Sequence, residues 1–216
     1  MYEEKNPRYY ALSRPEMQDY VPKSCQRILE FGCSNGDFGA QIKSRLGCIY
    51  EGIEPFESSA AVAKTKLDNV MLMSAEDYLI QPNFGQTKYD GIVFNDVLEH
   101  LVDPYTLLNK LKDALTPEGV IIASIPNILN FPAIRKLLFT KDFAYQESGI
   151  FDKTHLRFFT KKSIIRMFNE AGYSIQTIEG INRNSRGLLF RSLNLLTFKY
   201  IDEFKYTQFA VVAKKS

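Results

Sequence analysis

The 216-residue chain is 45% hydrophobic, enough for one sizeable core and short for two full domains, so a single domain over 1–216 is expected. Its 27 Lys and Arg stand against 25 Asp and Glu, a formal net charge of +2 that gives no bulk electrostatic support for binding nucleic acid or a membrane. Cys25, Cys33 and Cys48 are odd in number and lack metal-ligand spacing, the start is charged, and no uncharged run approaches a membrane helix of about 20 residues. These features predict a cytoplasmic protein without disulfides.

After a Tyr-rich lead-in over 1–26, short β-rich runs alternate with helical patterns, which predicts a doubly wound α/β fold with a mostly parallel sheet. Strands are expected over 27–31, 49–54, 70–73, 89–95 and 120–124. Asp103 offers a cap and Pro104 a first helical position, and Thr116-Pro117-Glu118-Gly119 reads as the turn that ends that helix. The long connection 126–160, helical around 133–139, is too rich in Phe and Leu for disorder and is expected to fold as a cap over a pocket. Thr160 caps a further helix that Gly172 ends, and strands over 173–181 and 206–213 close the sheet at its edge as an antiparallel pair.

Chemistry concentrates in Ile28-Leu29-Glu30-Phe31-Gly32-Cys33-Ser34-Asn35-Gly36-Asp37-Phe38-Gly39, an apolar strand, a loop of small residues and a helix start. Glycines let backbone approach a ligand, and a helix start presents amides to an anion. The next strand ends in Glu54-Pro55, an acid about 20 residues beyond the loop, where a ribose diol is gripped. Ser34 and Asp37 break the Gly-x-Gly-x-x-Gly fingerprint of dinucleotide binding, which disfavours a nicotinamide oxidoreductase.

This loop and Glu54 resemble the first motifs of the class I S-adenosylmethionine methyltransferases, with Glu30 in place of the commoner aspartate and Ser34 in place of the middle glycine. The resemblance implies a Rossmann-like seven-stranded sheet with an antiparallel last strand, and S-adenosylmethionine as cofactor. It implies that Gly32, Cys33, Ser34 and Gly36 cradle the methionine part and that Glu54, with Pro55, holds the ribose. Glu76 is then placed at the adenine amino group, and Asn95 and Asp96 in the fourth motif. Arg14 is set either against the methionine carboxylate or only against a surface acid. The segment Phe151 to Thr160 and the lead-in Arg8 to Glu16 are similar to a subset that includes modifiers of sugars, polysaccharides and quinones.

Methyl transfer from a sulfonium rests on alignment and exclusion of water, but a hydroxyl acceptor must also lose a proton. With only two histidines in the chain, His155 beside Asp152 is the candidate general base, a structural role being the even alternative. Tyr10, His100 and Arg157 are placed at the acceptor, although His100 is weighed first as a packing residue. Tyr9, Phe131, Phe143 and Phe151 are either pocket wall or core. A basic run from Arg135 to Arg166 favours an anionic acceptor if its side chains converge, and otherwise forms a solvated face. Asp96, Glu99 and His100 offer oxygen and nitrogen within one turn, but helical spacing does not bring the outer carboxylates together, so no metal is expected.

The expected activity is methylation of a hydroxyl on a small molecule or glycan precursor, without nucleic acid or membrane partners and with a homodimer left open. N- or C-methylation and a cofactor-free binding module are the alternatives.

Overall fold

The computed structural model describes residues 14–184 and 187–216. Seven strands form one sheet in the order β3-β2-β1-β4-β5-β7-β6. They are β1 (Arg27–Phe31), β2 (Ile49–Glu54), β3 (Asn69–Leu72), β4 (Tyr89–Asn95), β5 (Leu115–Pro126), β6 (Tyr173–Arg183) and β7 (Tyr206–Lys215). The first five pair parallel, and β7 runs antiparallel to both β5 and β6. This is the sheet the sequence predicts.

Neighbouring residues along the central strands face opposite sides, so each strand feeds two cores. Leu29, Ile92 and Ile121 join one buried cluster, while Ile28, Val93 and Ile122 join the other. The first cluster is covered by α4 (Ala75–Leu79), α5 (Pro104–Leu111) and α7 (Lys161–Glu170), and the second by α1 (Pro15–Gln18), α2 (Asp37–Leu46) and α3 (Glu57–Ala63). Full burial of each such aliphatic side chain is worth about 1.5–3 kcal/mol, which makes this double layer the main source of stability.

Both predicted caps are present. The Asp103 carboxylate accepts from the Thr106 amide at 3.0 Å with Pro104 at the first helical position. Thr160 Oγ1 accepts from the Ser163 amide at 3.2 Å while Ser163 Oγ accepts from the Thr160 amide at 2.9 Å. Thr160→Ala is expected to cost about 1 kcal/mol, read as a lower urea midpoint at unchanged slope.

Two segments depart from expectation and a third follows it. Thr116 to Gly119 is not a free turn: a 3-10 turn over Lys112–Ala114 ends α5, and β5 begins at Leu115. Tyr89 faces Leu115 and Gly91 already faces Val120, so the Pro-Gly segment is absorbed as a bulge in the ladder. The 126–160 connection is folded, with α6 (Phe131–Thr140) at its centre. Its aromatic residues pack among themselves, with Phe143 edge-on to Phe151, Phe158 and Tyr145, and Phe131 against Phe190. Phe190 belongs to α8 (Leu188–Leu196), a helix that the expected elements do not include.

Candidate functional site

Strand order reverses between β1 and β4, and crevices in open α/β sheets lie at the carboxyl ends of strands at such a point. A cavity of about 540 Å³ sits there, at the ends of β1, β2 and β4 and over the start of α4. Its wall includes Arg14, Gly32, Cys33, Ser34, Glu54, Pro55, Glu76, Asn95, Asp96 and His100. The topology thus collects residues that the sequence spreads over more than eighty positions.

The loop after β1 owes its shape to left-handed backbone. Gly32 has φ +65°, and a Cβ there would lie 2.7 Å from Val97 Cγ2, so this position admits only glycine without a shift. Ser34 takes φ 53° and directs its amide to Glu54 Oε2 at 2.8 Å. Glu54 Oε1 accepts from the Phe56 amide at 3.1 Å. The carboxylate is therefore fixed between two amides, and two of its roughly four lone-pair positions remain for a ligand. Burial pushes its pKa up and the two amides pull it back. Gly36, at φ 75°, does not line the cavity: its Cβ would meet Ala63 Cα at 3.1 Å, so it serves the packing of α2 on α3.

Glu30 lies beneath the loop, 2% exposed, and accepts from Tyr50 Oη at 3.0 Å and Asn95 Nδ2 at 2.9 Å. Burial dominates, and its pKa is pushed up to about 7 in spite of both donors. Between the ordinary glutamate range and pH 7 the folded protein holds a proton that the unfolded chain has released, so this group makes stability fall as pH rises. Relative to Glu30→Gln, the wild type is expected to lose about 3 kcal/mol between pH 4 and pH 8, measured by urea unfolding of both proteins. Asn95 Oδ1 is buried and has no hydrogen-bond partner among the described residues, which fits an acceptor reserved for a ligand donor.

Asp96 is occupied by the protein itself. Its carboxylate pairs with Arg14, accepts from Ser124 Oγ at 2.8 Å, and accepts from Gln208 Nε2 at 2.7 and 2.8 Å. Arg14, held in this pair, also lines the cavity. Gln208 arrives from β7, and no spacing in the sequence connects it to Asp96. Cys33 is buried, and burial with Glu30 nearby holds its thiol well above the ordinary range.

The remaining candidates lie off the cavity. Asp152 is buried and accepts from Thr154 through both the amide, at 2.9 Å, and Oγ1, at 2.7 Å. Arg157 binds the Val102 carbonyl. His155 is 7% exposed, with Nδ1 3.1 Å from the Ile150 carbonyl and Nε2 3.9 Å from Glu99 Oε1, so it faces Glu99 instead of the cavity. Phe131, Phe143 and Phe151 are not in the wall, and of the basic run only Lys153 is. Tyr9 and Tyr10 lie outside the described residues.

One further grouping joins the wall to the segment behind it. Glu99, His100 and His155 each place a ligand atom within 4.8 Å of the other two. Asp96 is not part of it; the third group comes from the cap.

Known proteins resemble this chain in sequence and in fold. A family model for a methyltransferase domain matches residues 2–178. A ubiquinone biosynthesis O-methyltransferase of Bradyrhizobium diazoefficiens is 31% identical over 104 residues, 47% of this chain and 40% of the relative. One of Aeromonas salmonicida is 22% identical over 182 residues, 83% of this chain and 76% of the relative. This chain therefore spans less than half of the first relative and about three quarters of the second. Among solved structures, a SAM-dependent methyltransferase of Archaeoglobus fulgidus superimposes with a TM-score of 0.66 at 20% identity, covering 93% of this chain and 91% of that one. At that identity the likeness is one of fold.

Proposed function

Because this chain belongs to the methyltransferase-domain family, we propose that it moves the methyl group of S-adenosylmethionine to a hydroxyl oxygen of a small molecule, a phenol in preference to a sugar. The observation that carries this reading is the cavity itself, which joins an amide-fixed carboxylate on β2 to an apolar end lined by Val97, Leu101, Val102 and Leu156. Support for oxygen as the methylated atom comes from the relatives, which are described as ubiquinone biosynthesis O-methyltransferases.

The cofactor supplies a methyl group on a positively charged sulfur. The chain's part is to hold, align and exclude water. Glu54 meets the ribose diol with its free lone pairs, and Asn95 Oδ1 offers an acceptor inside the loop. Glu76, at the first turn of α4, lines the same cavity and is assigned to the base. Of the two imidazoles only His100 reaches the wall, so His155 acts on the acceptor through its neighbours and not as a direct base.

A phosphorylated or nucleotide-linked sugar is the weaker acceptor, because the basic side chains do not converge. Lys136 lies over the Phe151 ring and Lys161 over the Phe209 ring. The test is transfer of tritiated methyl from S-adenosylmethionine to a panel of dihydroxyphenols, nucleotide sugars and transfer RNA. Labelled methyl ether on a phenol is expected; label only on sugar or RNA overturns the reading.

A further inference from the structure

We infer that α8, with the turn after it and the exposed part of α6, forms a docking surface for an anionic phospholipid bilayer, on which the protein lies without crossing it. This goes beyond the proposed methylation and does not depend on the acceptor.

The leucines of α8 point outward. Successive residues advance by about 100° around a helix, so positions seven apart nearly coincide and their neighbours widen the stripe. Leu188 and Leu195 therefore stand together with Leu189 and Leu196 beside them, and all four are exposed, Leu188 at 80% and Leu196 at 75%. Phe190 takes the opposite side, where it is buried and its ring centre lies 5.1 Å from that of Phe131. Asn194, on the same inner side, donates to Asp202 at 3.0 Å. The helix is thus fixed by one side while its leucine stripe faces water, the reverse of how an amphipathic helix sits on a globular core.

The apolar surface continues past the helix. The Lys199 amide donates to the Asn194 carbonyl at 2.7 Å and the Tyr200 amide to the Thr197 carbonyl at 2.9 Å, so the following turn is tied back onto α8. That turn presents Phe198, 96% exposed, and Tyr200. A groove lined by Pro132, Arg135, Lys136, Phe139 and Leu189 joins α8 to α6, where Leu138 and Phe139 are exposed as well. Large apolar side chains gathered in this way on a surface mark a place of interaction.

Charge selects the occupant. From Phe131 to Lys141 and from Gly187 to Ile201 the charged residues are Arg135, Lys136, Lys141, Arg191 and Lys199, without one acid among them. The next acid along the chain, Asp202, is engaged by Asn194 and Lys205. The chain-wide charge of +2 averages this concentration away, which is why composition alone predicts no membrane partner. Leucine and aromatic side chains interspersed with cations are the composition of helices that lie in the headgroup region of anionic membranes, with the apolar face buried about 5–10 Å. A second copy joined about a two-fold axis would set this patch against itself and bring the cations together. A nucleic acid would meet the cations and leave the leucines in water. Among the described residues no helix is long and apolar enough to cross a membrane, so the contact runs along the surface.

The test sediments the full chain with sucrose-loaded vesicles, either of phosphatidylcholine alone or of phosphatidylcholine and phosphatidylglycerol in equal parts. Expected is saturable binding to the mixed vesicles, weaker by about tenfold or more on the neutral ones and reduced by added salt. Leu195→Ser combined with Leu196→Ser is expected to lose about tenfold or more through the apolar stripe, and Arg135→Glu combined with Arg191→Glu a similar factor through charge. All four side chains are exposed, so circular dichroism is expected to be unchanged in both variants. Absence of binding to the mixed vesicles, or wild-type binding by the leucine variant, overturns the inference. A dimer in sedimentation velocity that the leucine variant dissolves, without vesicle binding, assigns the patch to a second copy and overturns it too. Retention by RNA but not by vesicles does the same.

Discussion

Glu54→Ala is expected to weaken binding of S-adenosylmethionine by about 100-fold or more, measured by calorimetry. Hydrogen bonds to a charged group contribute about 1.5–3 kcal/mol each, and a diol held by both oxygens stands to lose two of them. Every 1.4 kcal/mol is tenfold in affinity, so the loss of both bonds, about 3 kcal/mol at the lower figure, reaches the stated size. The carboxylate also fixes the loop: the Ser34 amide at φ 53° and the Phe56 amide both end on it, and truncation releases them. Glu54→Gln keeps one acceptor oxygen and is expected to fall between the wild type and alanine. Wild-type affinity in the alanine variant would show that the cofactor does not use this carboxylate.

Gly32→Ala is expected to cost about 2–5 kcal/mol of stability and to abolish cofactor binding. Two independent terms add here. A Cβ at φ +65° costs about 1–2 kcal/mol from the backbone alone, and its approach to Val97 Cγ2 at 2.7 Å is overpacking of about 1–3 kcal/mol. Because the second term needs the valine methyl, Gly32→Ala combined with Val97→Ala should recover the steric share and leave the backbone share. A urea-unfolding double-mutant cycle with a coupling energy near zero would remove Val97 from the account.

The sheet was readable in the sequence because each central strand is a continuous apolar run and each is followed by a helix start. Ile28-Leu29-Glu30-Phe31 and Ile92-Val93-Phe94 leave little choice of element, and their order leaves little choice of topology. The crevice was readable for the same reason: Gly32, Glu54 and Asn95 sit at strand ends, and parallel pairing puts strand ends side by side. Residues whose role depends on long-range packing were not readable. Gln208 reaches Asp96 only because β7 enters the sheet next to β5, and Gly36 turns toward α3 because that helix packs across it. His155 illustrates the limit from the other side. A histidine beside an aspartate in a loop suggests proton transfer, whereas the fold spends Asp152 on a turn and directs the imidazole at Glu99.

Helix α8 escaped for a related reason. Its apolar residues Leu188, Leu189, Leu195 and Leu196 are largely exposed, with only Phe190 buried, so its hydrophobic spacing does not report a buried face in the usual way.

The position of β7 between β5 and β6 also governs how the molecule can be assembled on the ribosome. Among the described residues β6 has β7 as its one partner in the sheet, so once synthesised it waits unpaired until residues as far as Lys215 have emerged from the exit tunnel. During that interval the β5 edge is open as well, and unpaired edges of this kind are where a nascent chain aggregates.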